Sequence, residues 1–263
     1  TKIKTIQYVC PQVWAWRKKR IKNFSSYLDH IFCLYEFETE ILKKHNLKSS
    51  FVGHPLAKKI ELGINKDKYK DKLNLDKSKV HVALLPGSRD SEIKKHINDL
   101  VSLVEHYQSR NPRLKFILAL TKNSKKYDFD EKLKDLNNLS ILYDDSKNIL
   151  SASDFSIIAS GTATLEGALC KTPMFVIYKT NFLSYFVLSR LIYSKYISLP
   201  NILSEKKIVK ELLQSQVNLN NLVDELDVLM NEDDKEMKLN FEILHKSLIN
   251  DNKSKFFSVI ESL

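Results

Sequence analysis

The chain has 263 residues, 43% of them hydrophobic and 28% charged, with a formal net charge of +10. Such a length and apolar content exclude a disordered chain and call for one large domain or two smaller ones. The positive charge does not read as a nucleic-acid surface: only six of the 42 basic residues are arginine, and the lysines are interleaved with Asp, Glu and Asn rather than clustered with aromatics on one face. A lysine-rich solvated surface is the simpler account, with a weak pull toward acidic headgroups or phosphorylated substrates.

Residues 3–9 (IKTIQYV) read as a strand. An aromatic loop, CPQVWAW, and a basic helix from Arg17 to Leu28 follow. Trp14 and Trp16, ahead of four basic residues, either anchor the loop to the core or meet a phosphorylated amphiphile or membrane surface. HIFCLY (30–35) is a second buried strand, 36–46 a helix, and SSFVG (49–53) a short third strand. Residues 56–79 are polar with little apolar periodicity, which suits a linker holding one short helix.

A strand–helix alternation then begins. VHVALL (80–85), KFILAL (115–120), LSILY (139–143), DFSIIAS (154–160) and PMFVIY (173–178) are continuous apolar runs, the pattern of strands buried on both faces. Helical patterns separate them, including 91–108, YDFDEKLKDL (127–136), KNILSA (147–152) and the segment after Gly161. This argues a doubly wound parallel sheet with right-handed crossovers. The aromatic segment 181–193 reads as a buried helix or an interfacial membrane helix, YISLPNIL (196–203) as a Pro-punctuated loop, and the rest as helical to the end. The expected organisation is an incomplete N-terminal Rossmann-like domain over 1–56, a linker over 57–79, a Rossmann-like domain over 80–205 and C-terminal helices over 206–263. Three strands cannot bury both faces of a sheet, and the chain enters a strand directly after Thr1-Lys2. The N-terminal domain is therefore expected to lack its first part.

Cys10, Cys33 and Cys170 are far apart without a CxxC pairing, so buried free thiols and a reducing compartment are expected. The seven histidines form no HExxH and no Cys/His ligand spacing, so no metal or cofactor is expected. Neither a secretory signal nor a bilayer-spanning apolar run is present.

Ligands of open α/β sheets sit beyond the carboxyl ends of the strands, and two strand ends stand out. Gly87-Ser88-Arg89 joins a strand to a helix. Glycine admits close approach, serine can cap, the helix N-terminus attracts anions and arginine offers a planar fork to phosphate oxygens. An ordinary turn with a surface arginine is the alternative. Ser160-Gly161-Thr162-Ala163 opens a helix with outward N–H groups and hydroxyls, and Glu166 in its first two turns either faces solvent or accepts from a ribose diol. The pattern is neither GxGxxG nor a Walker loop, and a capped helix packed on the sheet is its alternative. Asn201 binds a ligand or caps a turn. No Ser/His/Asp order and no close carboxylate pair marks a base, so group transfer by positioning fits best.

Five strings in order, YVCPQVWAWRKKR (8–20), FVGHPL (51–56), LLPGSRDSEI (84–93), SGTATLEGALCKTPMFVIYK (160–179) and SLPNIL (198–203), resemble the lipid-A-disaccharide synthase family. The resemblance implies an α/β, GT-B-like fold and metal-free inverting transfer of 2,3-diacylglucosamine from UDP-2,3-diacylglucosamine to 2,3-diacylglucosamine 1-phosphate. It places the reaction at the cytoplasmic face of the inner membrane, with peripheral attachment, and leaves room for a homodimer or a complementing N-terminal piece. Carried over by motif, Arg89 would stabilise the leaving diphosphate; Gly87, Ser88, Gly161, Thr162 and Ala163 would hold phosphates; Glu166 would bind the ribose; and Asn201 would contribute at the cleft. The family's glycine-rich acceptor loop and catalytic acidic residue precede the point where this sequence starts. UDP binding with negligible transfer is therefore expected of these residues alone. Other UDP-sugar enzymes, such as a UDP-N-acetylglucosamine epimerase or transferase, and a non-catalytic UDP-binding fragment are the alternatives.

Overall fold

Hydrophobic runs of four to six residues with no polar face can satisfy their backbone only inside a sheet covered on both sides, and here they do. The computed structural model describes residues 3–11, 21–24, 26–121, 133, 135–143, 145–180, 195–250 and 253–261. The loop with Trp14 and Trp16, the helix start at Arg17, residues 127–132 and the aromatic segment 181–193 lie outside them.

The described residues form two compact units: one takes those up to Ile60, Lys195, and those from His245 onward; the other takes Glu61 to Thr180 and Tyr196 to Leu244. The first unit contains β1 (Ile6–Tyr8), α1 (Ile21–Phe24), β2 (His30–Cys33), α2 (Glu36–Lys43), β3 (Ser49–Phe51) and α3 (Pro55–Lys59). Its three strands are parallel in the order β1-β2-β3. Ile31, Phe32 and Cys33 are fully buried, which explains why β2 is the most legible of the three. The thiols of Cys10 and Cys33 are free and buried, as is that of Cys170 in the second unit.

The second unit contains α4 (Lys66–Lys72), β4 (Val80–Leu85), α5 (Asp90–Gln108), β5 (Leu114–Ala119), β6 (Leu139–Leu142), α6 (Ser146–Ala152), β7 (Phe155–Ala159), α7 (Thr162–Leu169), β8 (Met174–Tyr178), α8 (Leu199–Ser204), β9 (Lys210–Leu213) and α9 (Leu219–Asn231). Helix α10 (Lys235–Leu248) follows, and its last residues belong with α11 (Lys253–Glu261) to the first unit. There His245 Nε2 lies 2.9 Å from the Ala57 carbonyl, His54 N–H donates to the Leu248 carbonyl at 2.9 Å, and Phe256 packs on Phe32 with ring centroids 4.5 Å apart.

Six strands in the order β6-β5-β4-β7-β8-β9, all parallel, make the second sheet. Helix α5 buries Ile93, Ile97, Leu100, Leu103, Val104 and Tyr107, a three-and-four spacing that turns one stripe to the sheet. Each such side chain stabilises the fold by about 1.5–3 kcal/mol when fully buried.

Three elements differ from the sequence reading. The stretch after Pro200, expected to be helical throughout, supplies the edge strand β9, whose Lys210–Leu213 pair with Phe175–Tyr178. KELL shows no strand signature because only Leu212 is buried, and charges suit an edge. SLPNIL is a short helix rather than a loop: Pro200 sits in its first turn, where the missing N–H costs nothing. The expected linker holds two short helices rather than one, and α4 is tied to the sheet: Lys66 and Lys70 donate to Asp154, at 2.7 and 3.1 Å, and Lys70 is 5% exposed.

Candidate functional site

Strand order decides where a ligand can sit. From β4 the chain moves to β5 and β6 on one side and then returns to β7, β8 and β9 on the other. Above the carboxyl ends of β4 and β7 the connections diverge and leave a crevice. A cavity of about 380 Å³ opens there, lined by Leu85, Gly87, Ser88, Arg89 and Glu92 after β4, Ala119, Leu120 and Thr121 after β5, Ser146 of α6, and Ala159, Ser160, Gly161, Thr162, Ala163 and Glu166 at β7 and α7. The structure thus brings Gly87, Ser88, Arg89, Gly161, Thr162, Ala163 and Glu166 to one cavity. Asn201 is not among the lining residues.

Each strand tip has its own local logic. Gly87 has φ +117°, and a Cβ there would fall 2.5 Å from the Cβ of Glu92, so both backbone and space demand glycine. Arg89 is the N-cap of α5 in extended conformation, and its side chain is 80% exposed. Glu92 reaches back to this turn. One of its oxygens accepts from Ser88 N–H at 3.0 Å and Arg89 N–H at 3.2 Å, while the other accepts from Arg89 Nη1 at 3.1 Å. At the second tip, Gly161 has φ 156° and ψ −164°, and nothing lies within 4 Å of where its Cβ would be. The backbone is therefore open to the cavity at the N-terminus of α7, the positive end of the helix dipole.

Glu166 projects from the second turn of α7 and accepts a hydrogen bond from the Ser146 hydroxyl. Burial pushes its carboxyl above the usual range, Asp145 adds to the rise, and the Ser146 bond opposes it. His96 braces the first tip from beneath. Fully buried, it lies 2.8 Å from the Pro86 carbonyl through Nδ1 and 3.0 Å from Lys179 N–H through Nε2. Those partners require a neutral ring with the proton on Nδ1, in line with a pKa lowered chiefly by burial.

Asn201 is buried with every amide atom engaged. Its oxygen accepts from Ile208 and Val209 N–H, and its nitrogen donates to the Val209 carbonyl and Glu211. Glu211 also accepts from the N–H groups of Ile197 and Ser198 and the Ser198 hydroxyl. The segment so held donates Leu199 N–H to Thr164 Oγ1 and accepts from Ser160 Oγ at the Ile197 carbonyl, at 3.3 and 2.9 Å. Asn201 therefore stands one layer behind the cavity wall. Sequence reasoning missed Glu92 and Ser146. Glu92 had a signal, an acid three residues into a helix after its N-cap; Ser146 had none, because only folding sets it opposite Glu166.

Among the described residues, the group of potential metal ligands Cys10, Cys33 and Glu38, with ligand atoms within 4.8 Å of one another, lies in the first unit. The Cys33 thiol is pushed up by its hydrogen bond with Cys10 and by burial, and Glu38 accepts from Tyr35 N–H in the cap of α2.

Comparison with known proteins bears on the family and the fold. A family model described as lipid-A-disaccharide synthetase matches residues 1–258. A lipid-A-disaccharide synthase of Francisella philomiragia is 38% identical over 268 residues, covering 99% of this chain and 70% of the relative. That of Pseudoalteromonas translucida is 40% identical over 251 residues, covering 94% and 65%. Among solved structures, the wall teichoic acid polymerase TagF (H444N variant) superposes with a TM-score of 0.57 at 17% identity, over 93% of this chain and 59% of that one. A Neisseria meningitidis UDP-GlcNAc 2-epimerase bound to UDP-GlcNAc gives 0.55 at 14%, over 90% and 62%. At these identities the structural likeness shows the α/β, GT-B-like fold.

Proposed function

Because the chain belongs to the lipid-A-disaccharide synthetase family, we propose that its cavity holds the diphosphate of UDP-2,3-diacylglucosamine and that the protein acts as a hexosyltransferase of lipid A biosynthesis. The acceptor in this reading is 2,3-diacylglucosamine 1-phosphate, and the products are UDP and the disaccharide 1-phosphate. One observation carries the proposal: two glycine-containing strand tips, an arginine and a half-buried carboxylate share a single cavity of about 380 Å³ at the switch point of a doubly wound sheet.

In that cavity the N–H groups of Gly161, Thr162 and Ala163, at the positive end of α7, face the phosphates. The Arg89 guanidinium stabilises the charge that gathers on the leaving diphosphate as the glycosidic bond breaks. Glu166 accepts from the ribose hydroxyls, its orientation fixed by Ser146. Asn201 acts from behind, holding the 197–201 segment against Ser160 and Thr164. No described helix is long and apolar enough to cross a membrane; attachment to the cytoplasmic face of the inner membrane is part of the proposal and suits a diacylated substrate.

Calorimetric titration with UDP tests the site. Arg89→Ala and Glu166→Ala are each expected to weaken UDP binding by roughly tenfold or more, the worth of a charge-assisted hydrogen bond. Full affinity in both variants would remove the assignment. Titration with diacylated against N-acetylated UDP-glucosamine separates this substrate from that of an epimerase or another UDP-sugar transferase.

A further inference from the structure

The cavity wall carries a carboxylate that nucleotide binding does not obviously want. Glu92 sits in the first turn of α5 and lines the cavity proposed to hold a diphosphate, with its own negative charge facing the donors of the β4–α5 turn. Its Oε2 receives both Ser88 N–H and Arg89 N–H, and its Oε1 receives Arg89 Nη1. An amide N–H has a single proton, so a phosphate oxygen cannot share these two donors without lying against a carboxylate oxygen.

Two arrangements are open to such a group: it leaves when the ligand arrives, or it stays and shapes what the ligand meets. Geometry favours the second. The turn is built around Glu92, since Gly87 adopts φ +117° and the space a Cβ would need is filled by the Glu92 side chain. The contacts span three and four residues within one helix start, so they form at little entropic cost. At the other tip the space beside Gly161 is open. Arg89 is otherwise a long, 80% exposed side chain whose rotamer freedom would have to be surrendered on binding. With one of its five N–H donors fixed on Glu92, the remaining ones form a fork already placed at the cavity rim.

We propose that Glu92 is a positioning residue for Arg89: it reserves the two amides of the β4–α5 turn, aims the guanidinium, and so leaves the diphosphate to take its backbone donors from the Gly161–Ala163 end alone. The inference rests on reading the cavity as a diphosphate site.

The test is calorimetry with UDP, inorganic pyrophosphate and uridine on wild type, Glu92→Gln, Arg89→Ala and the double variant. Glutamine keeps an oxygen for the two turn amides but turns an NH2 group toward Arg89 Nη1, donor against donor. Glu92→Gln is expected to weaken UDP and pyrophosphate roughly tenfold, as loss of a preorganised charged contact does, to leave uridine unchanged, and to add nothing in the Arg89→Ala background. Glu92→Asp, too short to reach Nη1, is a second variant with the same expected loss. UDP affinity that is unchanged in Glu92→Gln would overturn the proposal, and affinity that is raised would overturn it and make the carboxylate a competitor of the phosphate. A loss that persists in full without Arg89, or extends to uridine, would make Glu92 a helix cap only. Wild-type protein that binds neither UDP nor pyrophosphate would sink the diphosphate reading itself and this inference with it, whereas wild-type binding with an unaffected Glu92→Gln sinks only the role of Glu92.

Discussion

Glu166 and Arg89 face one cavity from opposite tips, and the two carry different burdens. Arg89 keeps most of its surface in water, so its charge is nearly free of desolvation cost. Glu166 is half-buried, and burial raises its carboxyl above the ordinary value of 4.5. The folded protein therefore holds the Glu166 proton more tightly than the unfolded chain does. Above the raised value both states are ionised and the fold carries the full cost of burying the charge; as pH falls through it, protonation relieves that cost. Glu166→Gln is thus expected to raise the melting temperature more at pH 8 than at pH 5 while weakening UDP binding. Scanning calorimetry at the two pH values checks the first effect, and equal or reversed shifts would count against it. Glu166 was legible as a candidate from its place in SGTATLEGAL, but its partner Ser146 was not, because twenty residues and a strand separate them.

At the scale of elements, helix α4 shows how much tertiary partners decide. KDKYKDK has no apolar stripe, yet Tyr69 and Lys70 are both buried. Asp154, at the start of β7, makes this possible by accepting from Lys66, Lys70 and His81 N–H together. Burial alone would raise its carboxyl, but these donors outweigh it and hold the carboxyl below the usual range. Asp154→Ala leaves the Lys70 ammonium buried without a counter-charge, held by the Lys79 carbonyl at 3.4 Å, and the expected loss is about 3 kcal/mol, read from urea denaturation. An effect under about 0.5 kcal/mol, the size of a surface pair, would show that α4 is held some other way. Strands β4, β5, β7 and β8 were legible because strands covered on both faces must be apolar throughout. Strand β9 and helix α8 were hidden for the opposite reason: one lies at an edge where charge is tolerated, and the other starts on a proline that also fits a loop.

At the scale of the whole molecule, four buried histidines, His30, His54, His81 and His96, are each lowered from 6.5, with burial as the first cause. The unfolded chain takes up protons at these rings below about pH 6.5 while the folded protein still refuses them. Their contribution is complete above 6.5 and is lost as pH falls toward the lowered values. The denaturation midpoint is therefore expected to drop between pH 7 and pH 5, and His96→Gln is expected to flatten the slope, since its ring must stay neutral to serve both Pro86 and Lys179. A midpoint independent of pH over that interval would contradict this picture.

By itself the sequence determined which segments must be covered by other parts of the chain, and which strand ends carry glycine, arginine and an acid in a pattern suited to phosphates. Those are local facts, written in hydrophobic runs and in the few residues that open a helix. Only the tertiary structure decided that the tips after β4 and β7 are neighbours, since that follows from the strand order β6-β5-β4-β7-β8-β9. It also decided that Asn201 stands behind the wall and that Ser146 meets Glu166. Burial and hydrogen-bond satisfaction are set by residues distant in the chain, and spacing along a sequence carries no record of which strands lie side by side.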